Sequence, residues 1–149
     1  TLRAWRARLA ARFAVDLARG ARASSPQATS GAPRFAAANA LDGQRETFWS
    51  PGVGVTRAEL QVELSAPASC EVVSLREYLP LGQRVERFAV DAWTAQGWQE
   101  LGAGQSVGNR RLLRTAPVTT ARVRLRIEQA SGRPAISEFG LFAPTGGGA

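Results

Sequence analysis

The sequence predicts an all-β fold, a β-sandwich or jelly roll, preceded by one amphipathic helix. Two observations predict it. Apolar residues recur at a helical spacing near the N-terminus and alternate with polar residues from Ala58 onward, and short alternating segments then follow at close intervals, separated by turns that carry Gly and Pro. Alternation is the pattern of a strand with one buried face. A series of such strands joined by short turns is typical of a sandwich.

The helical spacing lies in residues 1–17. Five apolar residues recur there every three or four positions, namely Leu2, Trp5, Leu9, Phe13 and Leu17. They fall on one face of a helix that ends by Gly20, and the polar residues 23–33 predict a linker or loop. We therefore expect 1–22 to be a helix from the end of a preceding domain or linker, 23–143 to be the sandwich, and 144–149 to be a disordered tail.

Seven strands are predicted within the sandwich, over residues 58–64, 71–78, 86–93, 98–101, 110–114, 122–127 and 136–142. The clearest is 122–127, in which three apolar residues alternate with three arginines, so that the arginines share one face. The apolar runs fall far short of the roughly 18 residues that span a bilayer, and no membrane span is expected.

The net charge of +7 is concentrated near the N-terminus. All 19 basic residues are Arg, and residues 1–22 hold six of them against one Asp, which accounts for +5. A basic helix can bind a polyanion, so the alternative function is a polyanion or nucleic-acid binding module that uses this helix. No aromatic motif of the RNA-binding kind interleaves with the arginines, and no nucleic-acid partner is expected.

Catalysis by this chain alone is not expected. The sequence has no His and one cysteine, Cys70. A Ser or Cys nucleophile therefore lacks its usual general base, the usual zinc ligand sets are missing, and no internal disulfide can form. The chain begins at Thr1 and contains no Met, which suggests a piece of a longer polypeptide.

Three segments resemble the coagulation factor 5/8 type C, or discoidin, family. Residues 39–43, Asn-Ala-Leu-Asp-Gly, continued by Glu-Thr-Phe-Trp at 46–49, resemble its opening motif. Residues 84–90 with Gly97-Trp98 resemble its central hairpin, and 135–142 resemble its closing strand. The resemblance implies a galactose-binding-like jelly roll, similar to carbohydrate-binding module family 32.

A narrower resemblance concerns residues 75–86 and 108–114. They are similar to the C-terminal domain of bacterial family 29 α-L-fucosidases. That similarity implies a preceding catalytic (β/α)8 domain in the same polypeptide, which would carry the catalytic carboxylates, and a secreted or periplasmic bacterial enzyme. The function expected for this chain is a non-catalytic accessory module that binds glycan weakly, docks on the barrel, or does both.

The family resemblance also implies a structural calcium ion, with Asp42, Thr47 and Glu138 as its side-chain ligands beside backbone carbonyls of the opening motif. Calcium takes six to eight oxygen ligands, and an Asp-Gly turn exposes carbonyl groups. The alternative is that Asp42 caps a turn, Thr47 bonds to backbone and Glu138 pairs with an arginine. Asp42 and Glu138 could also suggest a glycosidase pair, but a shared calcium explains them better.

A polar block around the turn at 79–82 is the candidate for glycan binding or domain docking. Its residues are Arg76, Glu77, Tyr78, Gln83 and Arg84. Their side chains can hydrogen-bond galactose- or fucose-containing glycans or a catalytic domain, and the fucosidase resemblance favours docking. The alternative is that Arg84 pairs with a neighbouring glutamate on a solvated face.

Tryptophans are the candidate aromatic platforms for a sugar. Trp49 is the first candidate, with Trp93 and Trp98 beside it, although in a sandwich each is expected in the core. Galactose-binding members of the family often use a His, which this chain lacks. A lipid-binding discoidin domain would need exposed apolar spikes, for which 79–81 is the one candidate segment.

Overall fold

The computed structural model describes residues 16–26, 33–52 and 54–143, which form six strands and three short 3₁₀ helices. The strands are β1 (Arg22–Ser24), β2 (Ala58–Glu77), β3 (Val85–Thr94), β4 (Gly97–Gly104), β5 (Arg111–Ala130) and β6 (Ile136–Phe142). The 3₁₀ helices are Pro33–Phe35, Ala37–Leu41 and Leu79–Leu81. The predicted all-β class is confirmed. No helix in these ranges is long and apolar enough to cross a membrane.

All strand pairs are antiparallel, in the order β1-β2-β5-β3-β4, with β6 also paired to β2. The two 20-residue strands, β2 and β5, serve both layers of the sandwich. The first half of β2 pairs with β1 and the second half of β5, whereas the second half of β2 pairs with β6 and the first half of β5. The hydrogen-bonded sheet therefore continues from one layer into the other.

Two predicted strand pairs are merged in the structure. Residues 58–64 and 71–78 contribute to the single strand β2, and 110–114 and 122–127 to β5. Pro67 and Pro117 lie between the halves, where the β2–β5 register shifts and neither proline has a paired position. Because proline has no backbone N–H, it is tolerated where the hydrogen bonds between two strands are interrupted. The alternation of apolar and polar residues also stops at such an interruption, so the sequence predicts a strand end there.

The core lies between the layers and is filled by the inward side of each alternating strand. In β5, Val123, Leu125 and Ile127 are at most 2% exposed, as the alternation predicts. The largest apolar side chains that are almost fully buried are Trp49, Phe88, Phe139, Leu41, Leu60, Leu75, Leu125, Ile136 and Leu141. Each such side chain stabilises the fold by about 1.5–3 kcal/mol relative to exposure.

β1 was not expected, because its residues fall within a predicted helix end and linker. Ala23 pairs with Val62 of β2, so β1 extends the sheet and crosses the boundary predicted between residues 22 and 23. A three-residue strand with both ends exposed carries too little alternation to be recognised. The predicted helix falls mostly on residues 1–15, which lie outside the described residues, as do residues 27–32 and the predicted tail; Leu17–Gly20 form a turn.

Asp16 fixes the incoming chain against the end of β6. Its Oδ1 accepts the backbone N–H of Ala18 at 2.9 Å and that of Leu141 at 2.9 Å. The Leu17 N–H donates to the Leu141 carbonyl at 2.8 Å. Burial raises the pKa of Asp16 above its ordinary 3.8, against the opposing effect of these hydrogen bonds.

We expect Asp16→Asn to gain stability relative to the unaltered protein as pH rises. A raised folded-state pKa means that the folded protein binds this proton more tightly, so stability falls as pH rises from the unfolded towards the folded pKa. Asn keeps an oxygen for both N–H donors and does not titrate. Urea unfolding of both proteins in EDTA at pH 3.5 and 6.5 measures the difference. If Asp16→Asn is less stable relative to the unaltered protein at pH 6.5 than at pH 3.5, the ionised carboxylate stabilises the fold and the expectation is wrong.

Candidate functional site

The opening loop is organised by Asn39 and Asp42. The Asn39 amide donates to the carbonyls of Pro33 at 2.9 Å and Phe48 at 3.2 Å, which ties the two ends of the loop together. Asp42 Oδ1 accepts the Gln44 N–H at 2.9 Å and caps the turn at Gly43, whose φ is +75°. Glycine adopts this conformation without the steric cost of a side chain. The loop therefore has a fixed shape with carbonyl groups directed inward.

Oxygen atoms converge on Thr47. Its Oγ1 lies 2.5 Å from Asp42 Oδ2, 3.3 Å from the Asn39 carbonyl oxygen and 3.4 Å from the Gln44 carbonyl oxygen. A hydroxyl has one proton to donate, so it cannot satisfy three acceptors at once. A carboxylate, a hydroxyl and two carbonyl oxygens in one place are the donor set that calcium prefers. The residues present thus fit a calcium ion.

Glu138, the third predicted ligand, is engaged elsewhere. Its Oε2 lies 3.6 Å from Arg76 Nε, as the alternative to calcium ligation anticipated. No group of three or more His, Cys, Asp or Glu residues that could hold a metal occurs within the described ranges. The structure therefore brings Asp42 and Thr47 together, and an ion at this loop would depend mainly on carbonyl and hydroxyl oxygens.

Glu77 ends β2 and holds two loops in place. Its side chain is 2% exposed. Oε1 accepts the N–H groups of Arg84 at 2.8 Å and Val85 at 2.9 Å, and Oε2 accepts that of Gly108 at 2.8 Å. The Glu77 N–H in turn donates to the Gly108 carbonyl at 2.9 Å. All three of these N–H groups are thus held by the carboxylate within the fold, and Glu77 fixes the loops beside the neighbouring cleft.

The loop-end cleft, of about 260 Å³, opens beside Glu77. Its lining consists of Arg45, Glu46, Arg76, Glu77, Tyr78, Leu79, Pro80, Asn109 and Ser137. The Arg76 side chain is 10% exposed, and its buried Nε makes no hydrogen bond, because the distance to Glu138 suits an ion pair only. The Arg76 guanidinium therefore lines the cleft with its charge paired to Glu138, and one buried N–H of this group makes no hydrogen bond.

Tyr78 gives the cleft an aromatic wall. Its ring stacks on Phe48 with centroids 4.4 Å apart, and Phe48 contacts Phe35 at 5.5 Å.

Arg84, another residue of the predicted polar block, bonds outside the cleft, because its Nη1 donates to the Arg133 carbonyl at 3.2 Å. Three of the five predicted block residues thus meet in the cleft, whereas Arg84 and Gln83 do not line it.

Four cleft residues, Arg45, Glu46, Asn109 and Ser137, were not predicted. Each lies in or beside a segment that carries the family resemblance, which could have drawn attention to them. They come from the opening loop, the loop before β5 and strand β6, which are distant in sequence, so spacing along the chain does not reveal their convergence.

The tryptophans are distributed differently from expectation. Trp49 is 0% exposed and pairs with Ile136 through its backbone, so the prediction of Trp49 as a platform is wrong and it belongs to the core. Trp93, expected in the core, is 43% exposed. Trp93 lies on the outer side of β3 because side chains alternate along a strand, and Phe88, Val90 and Ala92 lie on the inner side.

Cys70 is buried in the core, and burial raises the pKa of its thiol. The thiol therefore stays protonated at neutral pH and is a poor nucleophile.

The chain is similar to fucosidases over most of its own length. A sequence profile of the F5/8 type C domain matches residues 20–139. A rice protein (Oryza sativa subsp. japonica), provisionally named α-L-fucosidase 1, is 32% identical over 120 residues, which are 80% of this chain and 23% of that protein. The crystal structure of SpGH29 superposes with a TM-score of 0.86 at 32% identity, covering 95% of this chain and 31% of SpGH29.

A GH29 fucosidase of Ruminococcus gnavus, solved in complex with fucose, superposes with a TM-score of 0.82 at 27% identity, over 92% of this chain and 28% of that one. The chain thus spans about a quarter of the rice relative and about a third of each solved chain.

We expect Glu77→Gln to lower the free energy of unfolding by about 2–3 kcal/mol, because the amide NH₂ would face a buried backbone donor and the charge-assisted bonds would weaken. Urea denaturation measures the loss. Glu86→Gln, an exposed glutamate on β3, is the matched control and should change stability by less than about 0.5 kcal/mol. Equal effects of the two substitutions would contradict the role assigned to Glu77.

Proposed function

Since the chain belongs to the F5/8 type C domain family, we propose that it is a non-catalytic accessory module of an α-L-fucosidase-type glycoside hydrolase, whose loop-end cleft binds a glycan weakly. In this proposal the segment before Asp16 connects the module to a catalytic (β/α)8 domain of the same polypeptide, and the parent enzyme is secreted or periplasmic. The likeness to fucosidases over most of this chain, but over only a minor part of each fucosidase, supports the accessory role.

The loop-end cleft is the observation that carries the proposal. Arg76 lines the cleft and offers guanidinium N–H groups to a ligand, although its Nε is buried and lies 3.6 Å from Glu138. A sugar hydroxyl is a suitable acceptor. Tyr78 supplies an aromatic surface for the C–H face of a sugar ring, and Asn109 is exposed at the rim. An aromatic wall with a few placed polar groups is the composition of carbohydrate sites.

Docking on the catalytic domain is the second candidate for this surface. Leu79, in the same cleft, is 40% exposed, and Pro80 beside it is also exposed. Apolar residues next to a partly buried arginine are common at the centre of protein interfaces. The glycan experiment below separates the two candidates.

The oxygen cluster around Thr47 supports a structural calcium ion as part of the proposal. Asp42, Thr47 and the carbonyls of Asn39 and Gln44 would hold it, whereas Glu138, the third ligand that the family resemblance implies, pairs with Arg76. Bound calcium would supply positive charge that the converging oxygens share. These residues by themselves fix the loop through hydrogen bonds.

We expect calcium to raise the melting temperature of the chain relative to EDTA, because a ligand of the folded state stabilises it by about 2.7 kcal/mol at a hundred times its Kd. Asp42→Asn should abolish the shift, since Asn still caps the Gln44 N–H but provides no charge. Glu86→Gln should retain the shift. Magnesium at the same concentration controls for ionic strength. An equal shift in Asp42→Asn would place the ion elsewhere.

We expect one or more of fucose, galactose, lactose and N-acetyllactosamine to raise the melting temperature further in the presence of calcium. Asn109→Ala should weaken the Kd for that sugar about tenfold, a loss of about 1.4 kcal/mol. Gln105→Ala, an exposed amide outside the cleft, should leave it unchanged. No shift with any of the four sugars would leave domain docking as the better explanation of the cleft.

A further inference from the structure

The second half of β5 carries three arginines on its outer face, at 122, 124 and 126, of which two are neutralised. Arg124 Nε lies 2.7 Å from Asp91 Oδ2, and Arg126 binds both oxygens of Asp91, with Nε at 2.6 Å and Nη2 at 3.0 Å. Asp91 itself is 2% exposed beneath them. Arg124 also lies 3.9 Å from Glu59, and Arg126 lies 2.9 Å from Glu100. Their charges are therefore compensated within the fold.

Arg122, the third arginine of this face, has no carboxylate partner in the described part of the chain. Its guanidinium carbon lies 5.2 Å from the Trp93 ring centroid and 5.5 Å from that of Trp98. The two indoles meet edge to face at 5.3 Å. Contacts with aromatic rings hold the guanidinium through its charge and plane and leave its N–H groups available to an external acceptor.

A cleft of about 300 Å³ adjoins this group. It is lined by Arg22, Ala23, Ser24, Gln61, Val62, Glu63, Trp98 and Arg122. Strand register explains the assembly, because Arg122 lies opposite Glu63 of β2, which in turn lies opposite Arg22 of β1. Two guanidinium groups against one carboxylate leave the lining with a net positive charge. This outer-face cleft combines an aromatic wall, an anion-binding fork and neutral polar groups.

The outer-face cleft is separate from the loop-end cleft. Glu77 holds the start of β3 at Val85, whereas Trp93 lies eight residues further along the same strand. At about 3.3 Å per residue the two positions are about 26 Å apart. One monosaccharide cannot reach both.

We propose that the outer-face cleft is a second carbohydrate site, which takes a sugar residue bearing a carboxylate, of the uronic acid class. Arg122 binds the carboxylate, as guanidinium groups bind planar oxyanions. Trp98, whose ring is already covered on one face by the Arg124 guanidinium at 4.3 Å, contacts the C–H groups of the sugar through the part that lines the cleft. Gln61, whose amide also donates to Glu59 at 3.3 Å, and Ser24 are the polar groups available to the sugar hydroxyls. The charge of Arg122 sets the preference for an acidic over a neutral sugar. This site is independent of any ligand of the loop-end cleft.

The test uses isothermal titration calorimetry of the whole chain with trigalacturonic acid and, as the neutral analogue, galactotriose, at 150 mM NaCl. Trigalacturonic acid should bind at least tenfold more tightly than galactotriose. Arg122→Gln should weaken it at least tenfold, and so should Trp98→Ala if urea unfolding shows that this variant is folded. Tryptophan fluorescence should change on titration in the unaltered protein, because Trp98 lines the cleft and Trp93 contacts Trp98.

Two control variants make the result decisive. Arg87→Gln removes the same charge from an exposed arginine that does not line the outer-face cleft, and it should leave the affinity unchanged. Asn109→Ala alters only the loop-end cleft and should also leave it unchanged, so that failure of one site is distinguishable from failure of the other. Equal weakening by Arg87→Gln and Arg122→Gln would mean attraction to net charge alone and would overturn the proposal. Absence of binding, or equal affinity for the neutral trisaccharide, would overturn it as well.

Discussion

The carboxylate of Glu77 connects three parts of the chain that are distant in sequence: the end of β2, the start of β3 and the loop before β5. It receives N–H donors from Arg84, Val85 and Gly108 while being 2% exposed. A buried carboxylate must be satisfied in this way, since an isolated charge in the interior is very costly. The loops around the loop-end cleft are therefore fixed relative to the sheet, and Arg76 and Tyr78, its sequence neighbours, are positioned by the same constraint.

Asp91 has an equivalent role on the opposite side of the molecule. It too is almost fully buried, but its partners are the side chains of Arg124 and Arg126 rather than backbone amides. These different partners decide which arginine beside each buried carboxylate can bind a ligand. Near Glu77 the unsatisfied donor is Arg76, in a cleft at the loop end; near Asp91 the arginine without a carboxylate is Arg122, beside two indoles. Two weak sites on one module would reinforce each other on a branched or extended glycan.

The two clefts lie near opposite ends of β3, through Glu77 beside Val85 and Trp98 beside Trp93. The chain enters the described part at Asp16, against the end of β6, in the layer that does not contain Trp93.

Alternation of apolar and polar residues along 58–142 predicted the all-β class, most strand positions and most of the core. It could do so because the spacing of buried side chains along the chain depends directly on the local backbone geometry. The same local signal predicted strand ends at residues 64 and 114, before Pro67 and Pro117, where the structure continues each strand. It also missed β1, which exists through its pairing with β2. The family motifs drew attention to Asp42 and Thr47, which lie together in the opening loop, and to Arg76, which lines the loop-end cleft, and their ligand-binding roles stay predictions. Only the tertiary structure decided that Glu77 is a structural carboxylate, that Trp93 faces outward, and that Arg122 alone of the arginines at 122, 124 and 126 lacks a carboxylate within the described residues. Those outcomes depend on which residues of neighbouring strands lie opposite Glu77, Trp93 and Arg122. The register between strands that are distant in sequence cannot be read from the alternation within a single strand.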